Sequence, residues 1–132
     1  MPAHNHVSSD QMRLFIPARE LREDFHPTDA GPVPHRDDSS ETVTALQNNV
    51  KRSWRHKLAE VKSPGWNDAF YKGDMPTLYE DVAARGVQRP VFIGQGYLSN
   101  RRMIYDGHHR VAAAYANDPD TEVPVRYSTS EL

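Results

Sequence analysis

The sequence predicts a single domain of the α+β class, and three observations carry that prediction. An apolar stripe at helical spacing covers residues 40–62. Short β-branched and aromatic runs stand at 91–93, 102–105 and 123–127, the first two joined by a flexible connection through Gly94, Gly96, Ser99 and Asn100 and the last two separated by a helical segment. One of those runs passes through a glycine straight into an alanine-rich helix, in the stretch Tyr105-Asp106-Gly107-His108-His109-Arg110-Val111-Ala112-Ala113-Ala114. A chain of 132 residues is long enough for one modest core.

Each element has a local reason. Residues 1–10 are polar and read as a flexible leader, with the domain spanning 11–132. Met12, Leu14 and Ile16 alternate at period two and predict a first strand that ends at Pro17. Residues 18–23 predict a short helical turn. Residues 25–40 hold Pro27, Pro32, Pro34, Gly31 and three aspartates, which predicts an acidic loop. Ser39 or Ser40 is a good N-cap for the long helix, whose stripe is Val43, Leu46, Val50, Trp54, Leu58 and Val61. Ser63-Pro64-Gly65 stops it. Trp66, Phe70 and Tyr71 follow in an irregular segment suited to covering a core edge. A second helix at 77–85 turns Leu78 and Val82 inward and ends at Gly86. Pro90 opens a buried strand at Val91-Phe92-Ile93.

Composition narrows the function classes. Sixteen basic against eighteen acidic residues leave a net charge of −2, a poor match to nonspecific duplex binding. The chain has no cysteine, which excludes disulfides, thiolate metal sites and cysteine nucleophiles and fits a reducing cytoplasm. No signal peptide is visible, and no run approaches the ~18 apolar residues of a membrane span. The expected location is cytoplasmic, with no membrane partner.

The chemistry concentrates at the glycine turn. His108, His109 and Arg110 occupy the first turn of a helix, where the macrodipole already presents about half a positive charge. Cations are unfavourable there unless an anion neutralises them, and phosphate is the usual guest of free first-turn amides. Gly107 lets a ligand approach the main chain, and Arg110 can offer a two-pronged fork to phosphate oxygens. Asp106 could orient a histidine, hold a magnesium ion or accept a hydroxyl proton. Elsewhere, Lys51, Arg52, Arg55 and Lys57 on the long helix, with Arg101 and Arg102, form a candidate nucleic-acid backbone patch, although a solvated helix face explains them more simply. Asp37, Asp38 and Glu41 are better read as acids favourable to the start of a helix than as metal ligands.

The order Leu78, Val82, Gly86-Val87, Pro90-Val91-Phe92-Ile93, Ile104-Tyr105-Asp106-Gly107-His108-His109-Arg110-Val111-Ala112-Ala113-Ala114 and Val123-Pro124-Val125 resembles the ParB/sulfiredoxin-like superfamily. The resemblance covers residues 77–127 well and 11–23 weakly, and leaves the long helix outside it. It implies a small mixed β-sheet flanked by helices, and a nucleoside di- or triphosphate, with or without Mg2+, held by Gly107, His108, His109 and Arg110. In sulfiredoxins the corresponding turn ends in Cys-His-Arg with the cysteine as nucleophile. His108 stands at that position, so sulfinic acid reductase chemistry is excluded. In chromosome-partitioning members the turn is Gly-Glu-Arg-Arg and holds the triphosphate of CTP. Gly107 and Arg110 match it, whereas His108 and His109 depart from it.

The 22 residues that follow Arg110 leave no room for the DNA-reading and dimerisation segments of a partitioning clamp. The spelling is closer to a kinase-like branch that phosphorylates free serine, whose acidic base near the first strand would correspond to Glu20 or Glu23. The resemblance therefore implies a phosphotransferase or phosphohydrolase, the ParB-like nucleases included, with Asp106, His108, His109, Glu20 and Glu23 as catalytic candidates. The other expectation is a non-catalytic module of the kind common in phages and mobile elements, binding a host protein or DNA. Sequence leaves the oligomeric state open.

Overall fold

A computed structural model of the chain describes residues 13–96 and 101–128. The expected leader at 1–10 and Met12 lie outside the described residues. The elements run in the order β1 (Phe15–Pro17), α1 (Ala18–Asp24), β2 (His26–Pro27), a 3-10 turn (Thr28–Ala30), α2 (Ser40–Val61), α3 (Pro64–Trp66), a π turn (Asn67–Tyr71), α4 (Leu78–Arg85), β3 (Val91–Gln95), β4 (Arg102–Asp106), α5 (His108–Asn117) and β5 (Glu122–Tyr127). The strands form one mixed five-stranded sheet in the order β1-β5-β3-β4-β2. β1 pairs antiparallel with β5 (Ile16 opposite Val123), and β3 pairs parallel with β5 (Val91 opposite Val125). β4 pairs antiparallel with β3 and parallel with β2.

The core explains why α5 sits where it does. Val111, Ala112, Ala113 and Ala114 are all buried, and the three alanines let neighbouring backbones approach closely. α5 touches α1, α2, α4 and β3, so three helices pack round it on one side of the sheet. Ile16, Val91, Ile93, Ile104, Val123 and Val125 supply the sheet's contribution, alternating with outward residues as a half-buried sheet requires. Phe15, Phe92 and Arg126 occupy outward positions and are exposed.

Three expectations about elements need correction. The loop expected at 25–40 contains the short strand β2, whose His26 and Pro27 are buried. Pro27 is tolerated because β2 is an edge strand with a single partner, β4. Leu14 does not share the buried face of Ile16: it is 77% exposed, although its carbonyl accepts from the Val125 amide at 2.9 Å. The long helix is real and is capped by Ser39, whose Oγ accepts from the Thr42 amide. Its buried residues, however, are Trp54, Lys57 and Val61, all in its second half. Val43 and Leu46 are only half-buried, so the first half of the stripe is not covered as the second half is.

Beyond α2, Asn67 holds the irregular segment together. Its buried amide donates to the Glu60, Val61 and Ser63 carbonyls and accepts from the Leu78 amide. That side chain ties the end of α2 to the start of α4, and it places Trp66 and Phe70 beside the N-terminus of α5. The expected helix at 77–85 is present, with Thr77 as its N-cap and Gly86 as its terminator.

Candidate functional site

The turn between β4 and α5 is built around Gly107. Its φ of +98° lies in the left-handed region that disfavours a side chain. A Cβ there would also sit 2.9 Å from Arg110 Nη2, 3.0 Å from Val91 Cγ2 and 3.2 Å from Val91 Cα. Glycine is therefore demanded twice, by conformation and by space. Among the described residues no side chain caps α5, so its first-turn amides have no side-chain acceptor there.

Arg110 folds back over this turn. Its Nη2 donates to the Pro90 carbonyl at 2.9 Å, and the nearest carboxylate, Asp106, stands 3.9 Å away. Its Nε is buried and has no hydrogen-bond partner among the described residues. Burial, reinforced by the nearby Arg89 cation, pushes the Arg110 guanidinium below its ordinary value, and Asp106 only partly opposes this. Two guanidinium groups thus crowd one uncapped helix end.

The two histidines diverge, as adjacent helix positions require. His108 is largely buried. Its Nε2 donates to the Ile104 carbonyl at 3.0 Å and lies 3.4 Å from Thr28 Oγ1. Its Nδ1 is 3.9 Å from Asp29. Burial lowers the imidazole from its ordinary value, and the Asp29 charge does not fully offset this. His109 points the other way. Its Nε2 donates to Glu60 Oε1 at 2.8 Å, and its ring stacks on Trp66 at 4.5 Å between centroids. Trp66 in turn meets Phe70 at 5.6 Å.

These side chains line one cavity of about 590 Å³, with Asp106, Gly107, His108, His109, Arg110 and Arg89 on one side and Trp66, Phe70, Tyr71 and Asp81 among the rest. Polar donors and aromatic surface share its wall, a combination typical of small-molecule sites. Among the described residues no group of three or more His, Asp or Glu side chains is placed to hold a metal ion.

The structure brings together Asp106, Gly107, His108, His109 and Arg110 as the sequence suggested, but with altered roles. The histidines are oriented by Glu60 and by the Ile104 carbonyl rather than by Asp106. Glu20 is ion-paired with Arg13 and Arg102, and Glu23 accepts from Tyr115 Oη at 3.3 Å; neither lines the cavity. The basic patch is also reduced. Lys57 is buried and donates to Asp29 at 2.9 Å and to Ser53 Oγ at 2.5 Å, so it is no surface cation. Arg102 is engaged by Glu20 and lies over the Phe25 ring. Arg52 donates to Asn49, while Lys51, Arg55 and Arg101 remain exposed.

Glu60, Trp66 and Arg89 are site residues that sequence reasoning missed. Trp66 was legible as an aromatic near a core edge. Glu60 carried no signal, because it lies 49 positions from His109 and no local pattern links the two. Comparison with family models, with curated proteins and with solved structures returns no match to this chain.

Proposed function

We propose that this chain is a nucleotide-binding domain of ParB/sulfiredoxin-like type, with the ligand's phosphates at residues 107–110 and its base against the Trp66–Phe70 wall. The observation that carries the reading is the convergence of hydrogen-bond donors and two guanidinium groups at the start of α5. An uncapped helix end, the largely buried Arg110 with an unpartnered Nε, and Arg89 all face one cavity. Such a set is stabilised by a multiply charged anion. Phe70, 70% exposed at the cavity wall, gives a planar base a surface to stack on. Mg2+ would enter with the phosphates, and Asp106, two-thirds exposed beside them, could share its coordination. The reading as a DNA-binding module has less support, because burial of Lys57 and pairing of Arg102 break up the basic surface.

Calorimetry with ATP, ADP, CTP and GTP, with and without Mg2+, tests the proposal. At least one nucleotide is expected to bind, and Arg110→Ala should weaken it about tenfold or more, the loss of a charged hydrogen-bond pair. No heat from any of the four with folded protein would overturn nucleotide binding. Unchanged affinity in Arg110→Ala would overturn the placement of the phosphates.

A further inference from the structure

Glu60 and His109 form a pair whose geometry is that of an oriented base. A carboxylate can only accept, so the 2.8 Å contact from Nε2 fixes the ring proton on that nitrogen in the neutral imidazole. The lone pair then resides on Nδ1, which makes no hydrogen bond among the described residues. The ring cannot tilt freely, because one of its faces is stacked on Trp66. Glu60 itself is held on the last turn of α2, where its own carbonyl accepts from Ser63 and Asn67. His109 lines the same cavity as Arg110 and follows Gly107 by two residues. A fixed tautomer, a plane held by Trp66, a carboxylate on Nε2 and Arg110 on the wall of the same cavity are the parts of a general-base site.

We infer that Glu60 and His109 make the cavity a phosphoester hydrolase site, an inference that rests on the phosphate-binding reading above. His109 Nδ1 takes a proton from a water molecule while the water oxygen forms a bond to phosphorus. The bond from phosphorus to the ester or anhydride oxygen breaks, and that oxygen receives the proton back from the imidazolium. Ester and water become alcohol and inorganic phosphate; for ATP the products are ADP and phosphate. Glu60 stabilises the imidazolium formed in passing, as a positioning residue. Arg110 and the first-turn amides of α5 hold the non-bridging oxygens. The charged and titratable groups around His109 are Glu60 from α2 and, on the wall of the same cavity, Asp81, Arg89, Asp106, His108 and Arg110.

The experiment measures phosphate release from ATP and from 4-nitrophenyl phosphate by the wild-type chain, alongside calorimetry with ATP and thermal melting. Wild type is expected to turn over at least one of the two. His109→Gln should lower kcat by about a hundredfold. Glu60→Gln should lower it by about tenfold or more with KM within about twofold, since the effect lies in the transition state. Wild-type protein that binds ATP but releases no phosphate from either compound would overturn the hydrolase proposal and leave the phosphate site standing. Failure to bind ATP or any other nucleotide would overturn the underlying reading instead. A Glu60→Gln protein that melts lower but keeps its kcat would show the pair to be structural, which also overturns the proposal.

Discussion

At the scale of single residues, His108 is the group whose environment makes the clearest demand. Its imidazole is pushed down by burial, while Asp29 pulls the other way without compensating. In the unfolded chain it takes a proton near its ordinary value of about 6.5. A histidine with a lowered folded value contributes stability that is present above that pH. The contribution is lost as pH falls below it, because the unfolded state binds the proton first. The melting temperature of the wild type should therefore fall between pH 7 and pH 5 more steeply than that of His108→Gln, measured in the same buffers. Parallel slopes for the two proteins would refute the assignment. Gly107 is legible at this scale too: a glycine between a strand and an alanine helix already implied a left-handed turn. That Arg110 folds back into the space its Cβ would occupy is a tertiary fact that no local pattern carries.

Among the elements, α2 shows how far sequence pattern reaches. Its existence, its Ser39 cap and its stop at Pro64 follow from local chemistry. Its burial does not, because periodicity shows which face is apolar and not whether a neighbour covers it. Lys57 is the instructive case. Its charge placed it in a solvated basic face, yet it sits one turn from Trp54 and passes beneath the 3-10 turn at Thr28–Ala30 to reach Asp29. That pair fastens the loop after β2 to α2. Its two ends differ: the Lys57 side chain is 6% exposed and the Asp29 side chain 49%. Burial works against the charge on Asp29, but its hydrogen bond from Lys57 and the nearby cations hold the carboxyl below its ordinary range. Removing the aspartate strands an ammonium in the interior, whereas removing the lysine leaves a carboxylate that water can reach. Asp29→Ala should cost about 2–3 kcal/mol and Lys57→Met about 1 kcal/mol or less, by urea denaturation. The reverse order would mean that the buried charge is solvated by some route other than Asp29.

Viewed as a whole molecule, the fold hangs on α5. Three helices and the central strand β3 pack against this one helix, and its N-terminus is the floor of the cavity. The site and the core therefore share an element, and any ligand that binds there stabilises the packing centre of the domain. The α+β class was legible because strand-like and helical runs alternate along the chain. The mixed strand order was not, since it depends on the crossover pairing of β3 with β5 and on the two-residue β2. Because the folded chain alone assembles residues 107–110 with Trp66, Phe70 and Arg89, a nucleotide bound there raises stability by mass action. At a hundred times its dissociation constant the gain is about 2.7 kcal/mol. Thermal melting should rise in proportion to the logarithm of ligand concentration once the site is saturated, and Arg110→Ala should need about tenfold more ligand for the same rise. Hydrogen exchange should report the same event as slower opening of α5 and β4, with α2 following through its contacts with α5. A rise in melting temperature without added protection in α5 would place the ligand elsewhere on the molecule. Protection confined to the first turn would mean that the helix end and the core behave as separate units.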